Sequence, residues 1–177
     1  MSLDAAIERL VEGAAVRARV AFVLVIAERV APLLQKDLRE RADAALVDSW
    51  KWVGGEPLSA EDLYERFTRL AEWAGKAAGP PEKDAFLGLQ SAIFYVCWQA
   101  FGKELASGKP IEKGVPNDMA EGSEELTKEV ADFVAKAGVD VSFAESLAGR
   151  LAREFPGSSP EDFGRPITRR EAVGDAA

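Results

Sequence analysis

Apolar residues recur at intervals of three and four along most of this chain, which is the spacing of an α-helix with one buried side. Residues 85–105 are the most continuous of these stretches. Phe86 and Ile93 lie on one side, and Phe94 and Trp98 add apolar area on the other. A helix that is apolar nearly all round must be surrounded on most sides to remain in water. We therefore predict that this is a central helix around which the others pack.

Other segments carry the same helical period, and Gly or Pro residues separate most of them. Ser59 with Asp62 predicts a capping box at the start of one helix, and Ser142 with Glu145 predicts a second. The additional predicted helices cover residues 1–13, 16–34, 36–53, 59–74, 123–137 and 142–155.

Residues 20–27 are rich in β-branched side chains, which are also typical of strands. The helical period nevertheless continues from Val16 to Leu34, and no other segment offers a strand for pairing. We expect a helix here that Pro32 ends or kinks. The apolar run itself is too short to cross a bilayer.

From residue 156 the composition turns to Ser, Pro, Gly and Arg with little periodicity. We expect residues 1–155 to form one helical domain and residues 156–177 to be a mobile tail. The predicted fold class is all-α: a single-domain bundle of five to six helices around the central apolar helix at about 85–105.

The net charge is −8, from 22 Lys and Arg against 30 Asp and Glu. This charge disfavours duplex DNA and anionic membranes as partners, because both require neutralisation of phosphates. It would attract a basic protein over distance, although an acidic balance also serves solubility alone.

The chain has no histidine and one cysteine. Nucleophile activation by histidine, zinc sites built on histidine and an intramolecular disulfide are therefore excluded. Cys97 lies in the central helix and is expected to be a small buried hydrophobe. Phosphate-loop patterns and a secretory signal are missing from the sequence. We expect a cytoplasmic protein that is not an enzyme and holds no metal or cofactor.

Acidic residues are concentrated at residues 118–132, which we call the acidic strip. Its local charge is −5, which could recognise a basic partner or could be the solvated start of a helix. A smaller group, Glu61, Asp62 and Glu65, has the same two interpretations. The acids of the strip, which oppose the single Lys128, are Asp118, Glu121, Glu124, Glu125, Glu129 and Asp132.

Trp50 and Trp52 point about 200° apart on a helix, so both cannot face one core. Trp50 continues the apolar stripe through Leu46 and is expected to be buried. Trp52 is either covered by the following loop or partly exposed as an aromatic anchor for a partner.

Three segments carry a family resemblance: AERVAPLL at Ala27–Leu34, ALVDSWKWVGGEPLSAEDLYERF at Ala45–Phe67, and AIFYVCWQAF at Ala92–Phe101. With the acidic segment that follows, the chain resembles the all-helical immunity proteins of bacterial polymorphic toxin systems, in the sixth immunity family. The resemblance covers about residues 16–125. It implies a non-enzymatic antitoxin that neutralises its cognate toxin by direct stoichiometric binding.

Two alternatives stay open at this point. One is a helical scaffold or regulatory module that binds a protein unrelated to toxins. The other is an enzyme with a carboxylate-bound metal. The sequence leaves the toxin's chemistry and the oligomeric state of the chain open.

Overall fold

A computed structural model describes residues 2–174 of the chain. This part folds into a single all-α domain, which confirms the predicted class, and its only strand-like feature is an isolated bridge between Ala14 and Pro156. Eight α-helices replace the five to six expected, and 3-10 turns lie at Ala31–Leu33, Ala74–Lys76 and Asn117–Glu121. The α-helices are α1 (Leu3–Gly13), α2 (Val16–Glu28), α3 (Lys36–Val53), α4 (Ala60–Ala71), α5 (Glu82–Ala106), α6 (Leu126–Lys136), α7 (Ser142–Glu154) and α8 (Arg169–Val173).

The predicted central helix is α5, and it packs against α2, α4 and α6. By length and composition α5 could also cross a membrane, but 67% of its most apolar 18-residue window is buried inside the domain. Packing against neighbouring helices therefore accounts for its apolar character.

Residues 20–27, which are rich in β-branched side chains, are also helical, as the helical period predicted. Every residue from Val16 to Ala27 is buried, so α2 is enclosed on all sides over this stretch. The helix ends at Glu28, ahead of Pro32, which lies in a short 3-10 turn. The enclosed helix α2 and the largely buried helix α5 contact each other and form the centre of the core.

Of the two predicted capping boxes, one is present. The Asp62 amide donates to Ser59 Oγ at 3.0 Å, and the Ser59 amide donates to the Asp62 carboxylate at 3.1 Å. At α7 the prediction is wrong, because Ser142 lies inside the helix and its own amide donates to Asp140 Oδ1 at 2.8 Å. Asp140 is therefore the residue whose side chain accepts a hydrogen bond from a free backbone amide at the start of α7.

The chain after Pro156 differs from the expected mobile tail. Residues 156–174, which we call the C-terminal strap, lie along the domain and end in α8. The side chain of Ile167 is only 1% exposed, and that of Ala172 is fully buried. Met1 and residues 175–177, which belong to the predicted first helix and tail, lie outside the described residues.

The strap lies where α2 begins, and hydrogen bonding explains why. Ala15, the residue before α2, has no side chain that could cap the helix. Instead, the amides of Ala15 and Val16 donate to Phe155 O at 3.0 Å and to Asp162 O at 2.7 Å. Gly164 lies so close to Ala15 that a Cβ would be 2.5 Å from the alanine methyl group, and its φ of +67° also favours glycine.

Candidate functional site

A groove of about 670 Å³ lies between α1 and the start of α6 and is lined mainly by carboxylates. We call it the acidic groove. With seven acids and one lysine among its lining residues, its formal charge is −6. Its acidic residues are Asp4, Glu8 and Glu12 from α1, and Glu124, Glu125, Glu129 and Asp132 from the acidic strip.

Helix α1 supplies one wall because it is amphipathic. Ile7 and Leu10 are buried in the core, and α1 packs on α7 and α6. Asp4, Glu8 and Glu12 follow one another at intervals of four, so they share the outer face of the helix. Sequence reasoning missed these residues, although that spacing was a usable signal. What it could not show is that α1 lies beside the acidic strip.

One cation lies among these carboxylates in the groove. Lys128 Nζ pairs with Asp4 Oδ2 at 2.9 Å and so joins the two walls. The hydrogen bond from Lys128 to Asp4, followed by the charge of that carboxylate, raises the pKa of the lysine. Because this pair is exposed, its contribution to stability is small, and most of the negative charge of the groove stays uncompensated.

Glu124 has a structural role at the inner end of the groove. Its Oε1 accepts hydrogen bonds from Arg19 Nη1 at 2.5 Å and from Gln99 Nε2 at 2.9 Å, and its Oε2 accepts one from Tyr95 Oη at 2.5 Å. Arg19 is buried and also donates to the Pro160 carbonyl of the strap. Burial, followed by the charge of Glu124, raises the pKa of Tyr95 well above its usual value.

This network ties α2, α5, the start of α6 and the strap together around one charge pair, in which Arg19 is buried and the Glu124 side chain is 29% exposed. Removing Glu124 would leave the buried Arg19 cation unpaired in the interior, which typically costs about 3–5 kcal/mol. Glu124 is therefore committed to the fold and is a poor residue for testing recognition of a partner.

The rest of the acidic strip divides into two parts. Glu125, Glu129 and Asp132 are exposed and line the groove. Asp118 and Glu121 lie in the preceding 3-10 turn and do not line the groove.

Asp118 faces α4, where its carboxylate accepts a hydrogen bond from Tyr64 Oη at 2.9 Å. Burial, followed by the hydrogen bond to Asp118, raises the pKa of Tyr64 to about 12. The tyrosine is therefore neutral at ordinary pH and remains a donor to Asp118.

The smaller acidic group on α4 takes part in contacts within the chain. Glu61 accepts a hydrogen bond from the Lys113 amide at 2.7 Å, and Glu65 pairs with Arg69. Asp62 caps α4, and hydrogen bonds from Ser59 lower the pKa of its carboxyl group. These contacts make the group a weaker candidate surface than the acidic groove.

Trp52 is covered, which is one of the two interpretations given for it above, whereas Trp50 is less buried than expected. Trp52 is only 4% exposed, so it cannot be an exposed anchor for a partner. Trp50 is partly exposed, and its Nε1 donates to Glu28 Oε1 at 2.7 Å. The buried side of α3 runs through Ala45 and Ser49 as well as Leu46, which turns Trp52 inward.

Within residues 2–174, no group of three or more Cys, Asp or Glu side chains is placed to hold a metal ion. Cys97 is fully buried, and burial raises the pKa of its thiol far above the ordinary value. The thiolate form that reacts or binds metals is therefore disfavoured.

The fold and the groove together define an acidic, all-helical domain whose carboxylate-lined surface is suited to contact a cationic group. The family model described as Immunity protein Imm6 matches residues 18–136, and the chain belongs to this family. Neither curated proteins nor solved structures gave a significant match to the chain.

Family membership implies immunity against a toxin and confirms the resemblance seen in the sequence. The matched residues run from the first turn of α2 to the end of α6 and therefore include one wall of the acidic groove. The other wall, α1, precedes the matched region.

Proposed function

We propose that this protein neutralises the cognate toxin of a bacterial polymorphic toxin system by direct stoichiometric binding, and that the acidic groove receives a basic surface of that toxin. The observation that carries this proposal is the formal charge of −6 on the residues lining one groove. Membership of an immunity family supports a toxin as the partner.

Electrostatics explains what such a groove contributes to binding. Like charges along one concave surface add their fields, which raises the rate of encounter with an oppositely charged protein by about 10- to 1,000-fold at low salt. The same charges repel acidic proteins and so restrict the choice of partner. An antitoxin benefits from both effects, since it must reach its toxin before the toxin reaches its target.

A protein that acts in this way needs no catalytic group of its own. It acts by covering the toxin, in the cytoplasm of the producing cell, without catalysis and without a cofactor. Nucleic acids and anionic membranes are disfavoured as partners because the carboxylates of the groove repel phosphates.

The first experiment tests binding itself. The toxin domain encoded by the adjacent gene, inactivated by substitution, is co-expressed with this chain and the complex is purified. We expect a complex with one copy of each chain in solution. Failure of this toxin domain to bind would reject the proposal and favour a protein-binding module unrelated to toxins.

A second experiment tests the acidic groove. Glu8, Glu12 and Asp132 are exposed and line it, so their combined replacement by Lys changes the groove and leaves the hydrogen bonds between Glu124 and Arg19, Tyr95 and Gln99 intact. We expect association with the toxin domain to slow at least about tenfold at low salt, with a smaller effect at high salt.

The matched control replaces Asp37, Glu56 and Glu72 by Lys. These exposed acids lie outside the groove, and the change in net charge is the same. An equal slowing in both variants would show that overall charge, and not the acidic groove, governs association.

A further inference from the structure

A second groove, of about 430 Å³, lies between α5 and the segment that precedes α6. Its lining is largely apolar, and we call it the apolar groove. Two of its side chains are strongly exposed: Leu105 at 59% and Val115 at 40%. Trp98, which is partly exposed, adds further apolar surface, and the buried Phe101 and Met119 lie beneath it in the lining. A cluster of this kind on an otherwise charged protein is typical of an interaction site.

One wall of the apolar groove is held firmly by packing. A Cβ at Gly122 would lie 2.2 Å from Trp98 Cδ1, so the indole ring rests directly on the backbone at this glycine. The ring of Tyr95 lies 5.8 Å from that of Trp98, between ring centroids, and supports it from within α5. Because Trp98 is held by packing, it presents a preformed apolar surface, which lowers the entropic cost of binding.

The apolar groove adjoins the acidic groove. Gln99 lines the apolar groove, and its Nε2 donates to Glu124 Oε1 at 2.9 Å. Glu124 in turn lines the acidic groove. A single hydrogen bond thus links the linings of the two grooves.

We infer that the apolar groove receives an apolar side chain of the same toxin whose basic surface enters the acidic groove. This inference rests on the proposed function. It specifies the chemistry of the partner: basic residues beside an exposed aliphatic or aromatic side chain. A second copy of this chain is a poor occupant, because it would bring a second groove of charge −6 towards the first.

The two grooves have separate consequences for binding. Charge at the acidic groove acts over distance and sets the rate of association, which depends on salt. Apolar contact acts only after docking and sets the rate of dissociation, which depends little on salt. Kinetics at two salt concentrations therefore distinguishes their contributions.

The test replaces Leu105 and Val115 together by Glu and measures binding to the inactivated toxin domain encoded by the adjacent gene. Both side chains are exposed, so the fold should tolerate the change. The added negative charge would by itself favour a basic partner, so any weakening reports lost apolar contact. We expect dissociation at least about tenfold faster at both low and high salt.

The matched control replaces Leu33 and Val47 by Glu. These side chains are also exposed, lie outside both grooves and give the same change in charge. Unchanged dissociation of the Leu105 and Val115 variant would overturn the inference and leave the proposed function intact. Absence of binding by the unmodified chain would overturn both.

Analytical ultracentrifugation of the free protein tests the other possible occupant of the apolar groove, a second copy of this chain. We expect the same mass for the unmodified chain and for the Leu105 and Val115 variant. An unmodified dimer that the two substitutions convert to a monomer would overturn the inference, because a second copy would then fill the apolar groove.

Discussion

Replacing Ile167 by Ala tests whether the C-terminal strap is part of the folded domain. The isoleucine side chain is 1% exposed, and its backbone amide donates to Val53 O at 3.1 Å. The substitution removes buried apolar atoms and leaves the backbone contact in place. Truncation of a buried Ile to Ala costs about 2–5 kcal/mol, and we expect about 3 kcal/mol here.

For a chain of this size, each kcal/mol lowers the melting temperature by about 2–4 °C, so the expected fall is about 6–12 °C. Thermal and urea unfolding followed by far-UV circular dichroism measure it. The control is Val47→Ala at a side chain that is 52% exposed, where we expect a change within about 0.5 kcal/mol. Equal effects of the two substitutions would refute the packing of the strap described above.

Two further predictions concern buried and terminal charges. Arg19→Met leaves the partly exposed Glu124 without its cation, and we expect a loss of about 1.5–3 kcal/mol in urea unfolding. The double variant Arg19→Met with Glu124→Gln should recover part of this loss. If its loss of stability equals the sum of the two single losses, the two residues do not interact and the network is contradicted. Hydrogen bonds from Thr168, with a contribution from Arg165, lower the pKa of Glu171 from 4.5 to about 2. The ionised Glu171 carboxylate therefore contributes stability above about pH 4.5, and this contribution disappears as the pH falls towards about 2. In acid titrations, the difference in stability between the unmodified chain and Glu171→Gln should shrink across that range. A constant difference would contradict this role of Glu171.

Sequence patterns identified α5 and α2 as helices because the helical period and the apolar content are both visible within a single stretch of sequence. The ambiguity of residues 20–27 was resolved by period alone, and the structure has a helix there. The roles of Trp50 and Trp52 could not be assigned in this way, because apolar residues of α3 extend around more than one side. Which tryptophan turns inward depends on how neighbouring elements pack against α3.

The packing of the strap and the two-walled acidic groove could not be predicted from local sequence patterns. The amide of Val16 bonds to the carbonyl of Asp162, and no local pattern connects two backbone groups so far apart in the chain. The acidic strip was visible as a run of residues, but only the fold shows that Glu124 is tied to Arg19 and that Glu8 and Glu12 lie opposite. Local charge located part of the candidate site, and tertiary contacts determined which residues remain available to a partner.

Because the strap completes the hydrogen bonding at the start of α2, this early helix depends on residues that lie 141 positions or more further along the chain than Arg19 and Val16. Arg19 and the first amides of α2 find their carbonyl partners only when residues 155–163 have been synthesised. A nascent chain that has not yet reached these residues lacks the partners. One of the two helices at the centre of the core is thus completed only after translation has passed residue 163.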